Sequence, residues 1–288
     1  MKILVIGASG LIGSYLIKSF AKNKNVSVMG TFLQNHYNEP LTRLDINDKY
    51  QVESIIQSFQ PDIIYLPAAY TDVDRCVNNE KHSYNINVLG VKNVVDAINS
   101  YCKNSSLVFF STDYIFNQKS TPTIDDIPGP FYNHQNIYGQ HKFMAEHYIA
   151  SKLAYCRIVR TCSVFGHDKK GKNFASQILQ KLENKENINI SNQHYSNPIH
   201  AADLVSCVRM YTGNKTLVHV AGNEYLSRYD FAKIIAAKFG YSDNIIESNN
   251  KSSNNRPLKG GLVPYPRQME IKLEHGLTKL YYEVKGIK

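Results

Sequence analysis

The 288-residue chain has no apolar run approaching the ~20 residues that cross a bilayer. No basic, apolar, small-residue leader precedes its first apolar run, which begins at residue 2, so neither a membrane span nor a secretory signal is expected. Cysteine is sparse: Cys76, Cys102, Cys156, Cys162 and Cys207 are odd in number, scattered and free of C-x-x-C pairing. That argues against a disulfide frame or a zinc site and for reduced thiols in the cytoplasm. Metal-ligand patterns are missing too. His194 and His200 sit six apart around Pro198, which is not a helical ligand spacing, and read as polar loop or cap residues. The formal charge is +9, yet it lacks a focus. The densest run, Lys169-Lys170-Gly171-Lys172, is short and has no interleaved aromatics. A phosphorylated cofactor and an anionic substrate account for that charge better than nucleic acid does.

What is present begins at the amino terminus. Residues 2–6 form a short apolar run with β-branched members, the pattern of a buried strand. Gly7-Ala8-Ser9-Gly10-Leu11-Ile12-Gly13 follows at once, and helical spacing takes over from Ser14. Strand, glycine turn and helix in this order make a dinucleotide loop. The first glycine permits the tight turn, the second lets the pyrophosphate approach the backbone, and the third lets helix and strand pack closely. The helix amino terminus then offers free N–H groups and a positive dipole to phosphate. The spacing Gly7, Gly10, Gly13 differs from the G-x-G-x-x-G of ordinary dehydrogenases.

Apolar runs and helical patterns alternate through the first two-thirds. Strands are predicted at 26–31, 62–67, 106–111 and 155–160, and helices at 11–22, 48–58, 84–101 and 136–151. Alternation of this kind predicts an α/β fold, a Rossmann-type doubly wound parallel sheet with helices on both faces. From about 161 the texture changes to helices near 171–184, 200–211 and 227–239, a strand at 216–220, and a polar stretch from Ser248 to Asn255 that reads as an exposed loop. The reading is a dinucleotide-binding domain over 1–160. A smaller, mainly substrate-binding lobe follows over 161–288, with some segments returning to the first domain and the ligand in the crevice beyond the strand ends.

The most informative pair is Tyr138 and Lys142, four apart on the predicted helix 136–151 and therefore on one face. A neighbouring ammonium favours the phenolate and lowers the phenol from its ordinary value of about 10, which suits proton transfer in alcohol–ketone chemistry. The predicted strand 106–111 ends in Ser111-Thr112-Asp113-Tyr114. A hydroxyl at the carboxyl end of a parallel strand faces the crevice, so Thr112 or Ser111 is placed to donate to a substrate oxygen.

Together these motifs resemble the extended short-chain dehydrogenases/reductases, most of all the dTDP-4-dehydrorhamnose reductase family, over nearly the whole chain. The matching pieces are the glycine loop, Leu44-Asp45-Ile46, Ala68 to Asp74, Asn87-Val88, Ser111 to Phe116 and Tyr138-Gly139-Gln140-His141-Lys142. Later come Ala221-Gly222-Asn223-Glu224 with Ser227 to Ala232, and Arg256-Pro257. The resemblance implies reduction of a nucleotide-linked 4-keto-6-deoxy sugar with NADP(H) or NAD(H), in deoxysugar and polysaccharide biosynthesis. Thr112, Tyr138 and Lys142 would be catalytic, with Lys142 also holding the nicotinamide ribose. The cofactor would meet Gly7, Ser9, Gly10, Leu11, Ile12, Gly13, Thr31, Asp45, Ile46, Ala68, Ala69, Tyr70 and Asn87. Asp45 would reach the adenine, or instead cap the helix that follows, and Asn87 would support the catalytic helix. The substrate would meet Thr71, Asp72, Val73, Asp113, Tyr114 and Arg256, the arginine serving its diphosphate unless it is simply an exposed loop residue. A homodimer is compatible with this reading. A regulatory subunit of methionine adenosyltransferase resembles the same branch, so the alternatives are a non-catalytic dinucleotide-binding role, with the tail around Leu273 to Lys288 as partner surface, and a related nucleotide-sugar epimerase or reductase.

Two departures from the family pattern stand out, and the cofactor choice rests on the second strand. The approach to Tyr138, Phe131 to Ile137, is longer than usual. Cys76-Val77 stands where the family has an acid after the aspartate matching Asp74. The second strand ends in Gln34-Asn35-His36, with neither the acid that favours NAD(H) nor an arginine; those donors favour NADP(H).

Overall fold

The computed structural model describes residues 1–21, 23–34, 40–116, 136–210, 215–251, 255–265 and 270–287. In chain order the first half runs β1 (Lys2–Val5), α1 (Leu11–Phe20), β2 (Ser27–Phe32), β3 (Thr42–Arg43), α2 (Lys49–Phe59) and β4 (Ile63–Leu66). Then come α3 (Val73–Asn78), α4 (Glu80–Tyr84), a π-helical segment (Asn85–Gly90), α5 (Val91–Tyr101), β5 (Ser106–Thr112), a 3-10 turn (Asp113–Ile115) and α6 (Ile137–Lys152). The second half comprises β6 (Cys156–Thr161), β7 (Val164–Phe165), α7 (Phe174–Glu183), β8 (Ile188–Ser191), β9 (Tyr195–Ser196), β10 (Ile199–His200) and α8 (Ala201–Met210). It ends with β11 (Lys215–Val220), β12 (Leu226–Ser227), α9 (Arg228–Phe239), β13 (Ile246–Asn249) and α10 (Leu273–Lys285).

Seven strands form one sheet in the order β3-β2-β1-β4-β5-β6-β11. Each neighbouring pair in it is parallel. This is the doubly wound order, and its direction reverses between β1 and β4, where the strand ends open a crevice. Period-2 alternation sorts the strand side chains between two cores. Ile3, Val5, Val108, Phe110 and Val159 face α1 and α8, packing on Leu16, Phe20, Leu204 and Val208. Leu4, Ile6, Ile64, Leu66, Leu107 and Phe109 face α2, α5 and α6, packing on Val52, Ile56, Val94, Ile98, Ala145 and Ile149. Strands covered on both sides are apolar throughout, which is why β1 and β5 read as continuous runs.

A third core, separate from both sheet faces, unites Phe165, Ile178, Leu182, Ile188, Phe231, Ile235, Ile246, Leu273, Leu277 and Leu280. It packs α7, α9 and α10 with the paired strands β8 and β13. β11 belongs to the main sheet, paired with β6, although it lies beyond residue 160.

The expected helices and strands are present with ends shifted by one to three residues, apart from the predicted helix 84–101. That region is α4, a π turn and α5, the π register being one of the local devices that reposition side chains near functional sites. The terminal tail is a helix, α10, whose Leu273, Leu277 and Leu280 are buried in the chain's own third core. Its spacing of buried leucines is the amphipathic signal for that placement. Among the described residues, no helix is long and apolar enough to cross a membrane.

Candidate active site

The glycine loop closes the amino-terminal side of the crevice. Gly7 has φ +94°, and a Cβ there would stand 2.8 Å from the backbone N of Ala68, so only glycine lets the loop after β1 lie against the segment after β4. A Cβ on Gly13 would stand 2.2 Å from the Gly7 carbonyl oxygen, so the third glycine sets how closely α1 approaches the turn. The Gly7 N–H donates to the buried Thr31 hydroxyl at 3.2 Å and the Ala8 N–H to the Thr31 carbonyl at 2.7 Å, tying the loop to β2. Gly10 is the N-cap of α1, with no side-chain cap and no acid in the first turn. The N–H groups of that turn, including those of Ile12 and Gly13, therefore face outward with the positive dipole end, as a pyrophosphate requires. Ser9, Gly10, Leu11 and Ile12 are partly exposed there. The residues present fit a dinucleotide.

Ala68, Ala69, Tyr70 and Thr71 follow β4 on the opposite lip. Asn87 holds this segment from below. Its side chain accepts from the Tyr70 N–H and donates to the Tyr70 carbonyl, both at 3.0 Å. It also donates to the Ser83 hydroxyl at 3.2 Å, and Ser83 Oγ lies 2.8 Å from His141 Nδ1 on α6. A buried polar chain thus connects the lip to the helix that carries Tyr138, a connection in which Ser83 and His141 give no motif signal in the sequence.

Several residues expected to meet substrate or cofactor make local contacts of their own. Asp72 caps α3, accepting from the Arg75 N–H at 3.1 Å, and Val73 is buried at the start of that helix. Asp45 makes a local turn, accepting from the Asn47 N–H at 2.9 Å, while the cap of the following helix is Asp48. Ile46 is buried against Gly90. Asp113 is buried: its Oδ2 accepts from the Gly261 N–H at 2.8 Å and its Oδ1 from the Thr112 hydroxyl at 3.2 Å. Burial raises the Asp113 carboxyl to about 6, against those hydrogen bonds. Gln34 is exposed after β2, whereas Asn35 and His36 lie outside the described residues, as does 131–135 of the long approach to Tyr138. The pairing of β3 with β2 brings Arg43 level with Phe32, a placement that only the sheet register reveals.

Tyr138 and Lys142 occupy successive turns at the start of α6. Asn136 caps the helix, accepting from the Gly139 N–H at 3.1 Å, and also donates to the Tyr114 carbonyl, which pins α6 to the turn after β5. The rings of Tyr114 and Tyr138 meet edge to face at 6.1 Å. Thr112, at the end of β5, accepts from the Tyr114 N–H at 3.2 Å. Ser111, the other candidate hydroxyl, is buried with no hydrogen-bond partner among the described residues, as the alternation of the strand dictates.

The electrostatics correct one expectation. Lys142 is buried, with its ammonium 3.8 Å from the centre of the Phe109 ring, and burial lowers it to about 7. Burial raises Tyr138, and Cys76, Tyr114 and Asp113 add to that effect. The phenol is therefore not lowered by its lysine in this state, because a desolvated ammonium near neutrality has little charge to offer. Glu146, one turn further along α6, offsets part of the lysine's lowering, and Arg160 also holds that carboxylate in a buried pair at 2.8 Å. Removing one partner of such a pair leaves an uncompensated buried charge. Arg160→Ala is expected to lower the unfolding free energy by about 3–5 kcal/mol, read from urea titrations. A change below about 1 kcal/mol would contradict this burial of the pair.

Both histidines set aside as loop residues are buried. His194 Nδ1 lies 3.0 Å from the Pro257 carbonyl. His200 Nε2 lies 3.3 Å from the Glu283 carboxylate, between the rings of Tyr15 and Phe165. Among the described residues, no group of His, Cys, Asp or Glu is arranged to hold a metal. In the Ala221 to Glu224 stretch, the Asn223 and Glu224 side chains accept from the N–H groups of Ile271 and Leu273 at 2.8 and 2.9 Å, at the start of α10. Arg256 forks onto Asp74, with N–O distances of 2.8 and 2.6 Å.

Known proteins resemble this chain in sequence and fold. The family described as the RmlD substrate binding domain matches residues 1–264. The dTDP-4-dehydrorhamnose reductase of Aggregatibacter actinomycetemcomitans is 29% identical over 242 residues, 80% of this chain and 76% of that protein. The methionine adenosyltransferase 2 subunit beta of Pongo abelii is 25% identical over 284 residues, 95% of this chain and 81% of that protein. Among solved structures, the dTDP-4-dehydrorhamnose reductase of Bacillus anthracis in complex with NADP shares the fold at a TM-score of 0.85, with 24% identity and 98% and 99% of the two chains covered. Matched by that family over residues 1–264, the chain belongs to the RmlD family, the dTDP-4-dehydrorhamnose reductase branch of the extended short-chain dehydrogenases/reductases.

Proposed function

We propose that this protein reduces a nucleotide-linked 4-keto-6-deoxy sugar, dTDP-linked, using NADP(H), within deoxysugar and polysaccharide biosynthesis. The observation that carries the reading is the convergence of Thr112 at the end of β5 with Tyr138 and Lys142 on the helix pinned beside it. Tyr138 donates its phenolic proton to the sugar's keto oxygen as that oxygen gains charge, and the Thr112 hydroxyl donates to the same oxygen. Lys142 holds the nicotinamide ribose and, once its charge is stabilised there, lowers the barrier to proton loss from Tyr138. When bound, NADP(H) supplies the hydride that the carbonyl carbon accepts. Gly7 to Gly13 hold its pyrophosphate, while Ala68, Ala69 and Tyr70 face the remainder. Gln34 and Arg43, beside the end of β2, favour the phosphorylated form. On the substrate side, Thr71, Asp72, Tyr114 and Arg256 form the lip, with the guanidinium serving the diphosphate.

Gly13→Ala tests the loop. The added methyl meets the Gly7 carbonyl, so a stability loss of about 1–3 kcal/mol and at least tenfold weaker NADPH binding are expected, read by thermal melting and fluorescence titration. Unchanged NADPH affinity would contradict the assignment.

A non-catalytic, dinucleotide-binding subunit is the second reading, favoured by the 25% identity to the methionine adenosyltransferase subunit. Oxidation of NADPH in the presence of nucleotide-linked 4-keto sugars separates the two. Turnover supports reduction; none with any such sugar, together with tight association with a synthetase, supports the subunit role.

A further inference from the structure

Arg228 is placed at an electrostatic disadvantage. It is the first residue of α9, behind the N-cap Ser227, where the helix dipole opposes a cation. Burial lowers its pKa, and the positive charge of Arg256 lowers it further; Tyr114 and Asp74 pull the other way. Asp74, the carboxylate that acts on it, is already engaged by the Arg256 fork and by Asn255 at 3.2 Å. No described carboxylate forms an ion pair with Arg228; its guanidinium instead lies 4.7 Å from the Phe174 ring. Its backbone N–H donates to the His194 carbonyl at 2.9 Å, and His194 in turn contacts Pro257, next to Arg256. Arg228 also borders a cavity of about 220 Å³ between α7, β8 and α9, lined by Phe174, Gln177, Ile178, Asn189 and His194. A half-buried guanidinium at a helix start, near a second arginine and beside a cavity, carries a charge that no described carboxylate pairs and that an anion in the cavity would stabilise.

We infer that Arg228 is a second phosphate-binding cation of the substrate site, so that one nucleoside diphosphate engages Arg228 and Arg256 together at the edge of this cavity. The inference rests on the nucleotide-sugar reading above and adds to it a specificity-determining residue. Asp74 keeps the Arg256 fork in register, and Arg228, lacking such a partner, contributes the larger share of uncompensated positive charge. The geometry also sets its chemical preference: a diphosphate spans two cations, whereas a monophosphate meets one.

The test compares wild type, Arg228→Met and Arg228→Lys by calorimetric titration with dTDP and dTMP, with NADPH binding and thermal melting as fold controls. Arg228→Met is expected to weaken dTDP about 10- to 100-fold, the worth of a charge-assisted hydrogen bond, and to shrink the preference for dTDP over dTMP. NADPH affinity should stay within about threefold, and Arg228→Lys should recover part of the loss. In turnover the loss should appear in KM far more than in kcat. Wild type binding dTDP while Arg228→Met binds it within twofold overturns the inference and leaves the proposed activity untouched. An equal loss of dTDP and NADPH binding in both variants marks a purely structural residue and overturns it too. Wild type that binds dTDP through Arg228 but reduces no keto sugar removes the proposed activity and supports the phosphate assignment. If wild type binds no nucleoside diphosphate, both fall.

Discussion

Tyr138→Phe lowers turnover by about 10²- to 10⁴-fold, the usual contribution of a positioned general acid, while NADPH binds within a few-fold of wild type. The phenol ring is retained, so its edge contact with Tyr114 and the cap made by Asn136 survive, and the melting temperature should move little. Only the phenolic hydroxyl, and with it the transferable proton, is removed. Because Tyr138 is raised above the ordinary phenol range by burial, it stays protonated across neutral pH in the cofactor-free state. That is the form a ketone reduction consumes. The loss should therefore appear in kcat, measured by NADPH oxidation under saturating sugar, with little change in KM. Substantial residual turnover would remove Tyr138 from the proton path.

Lys142→Met should separate stability from activity. Lys142 falls from 10.5 to about 7 because it is buried against Phe109, and the Glu146 carboxylate offsets only part of that. For a base whose folded pKa is depressed, the unfolded chain binds more protons between about 7 and 10.5, so stability rises with pH through that window. Below it the full penalty for charging the buried amine is present. Methionine preserves the apolar stem and removes the charge. The variant is therefore expected to be more stable than wild type by on the order of 4 kcal/mol at pH 6, with the difference shrinking toward pH 10. Turnover should fall at least about 10²-fold, since neither the ribose contact nor the charge beside Tyr138 remains. Urea titrations of cofactor-stripped protein across pH 6–10 read the first effect. A variant less stable than wild type at pH 6 would show that the surroundings of the buried lysine, Glu146 included, outweigh its desolvation. A residue that weakens the fold and carries the chemistry is the expected signature of a functional site.

Much of this was legible from residue order. Strand 1, the glycines and α1 are contiguous, so propensity, turn geometry and dipole all act locally and agree. Tyr138 and Lys142 share a helix face for the same reason. The parts that escaped depend on contacts distant in sequence. Arg43 gains meaning only from the register of β3 on β2. Arg160 and Glu146 look like surface charges until β6 and α6 bury them together, and the same burial of α6 lowers Lys142, against a partial raise from Glu146. His194 and His200 are polar residues in a polar stretch, yet Pro257 and Glu283, far along the chain, draw them inside. The carboxy-terminal tail looked available to a partner, but its leucines at helical spacing are buried beside α7 and α9. Arg228 lies within a motif read for helix formation, and nothing local marks it as half-buried beside a second arginine.

The central claim is reduction at a sugar carbonyl, and it is tested most directly by following NADPH absorbance when the wild-type protein meets a dTDP-linked 4-keto-6-deoxy sugar, with UDP- and GDP-linked analogues and NADH in parallel. The account predicts stoichiometric NADPH oxidation with formation of the 4-hydroxy sugar, fastest for the dTDP-linked substrate and slower with NADH. Tight NADPH binding with no oxidation by any nucleotide-linked 4-keto sugar would contradict it.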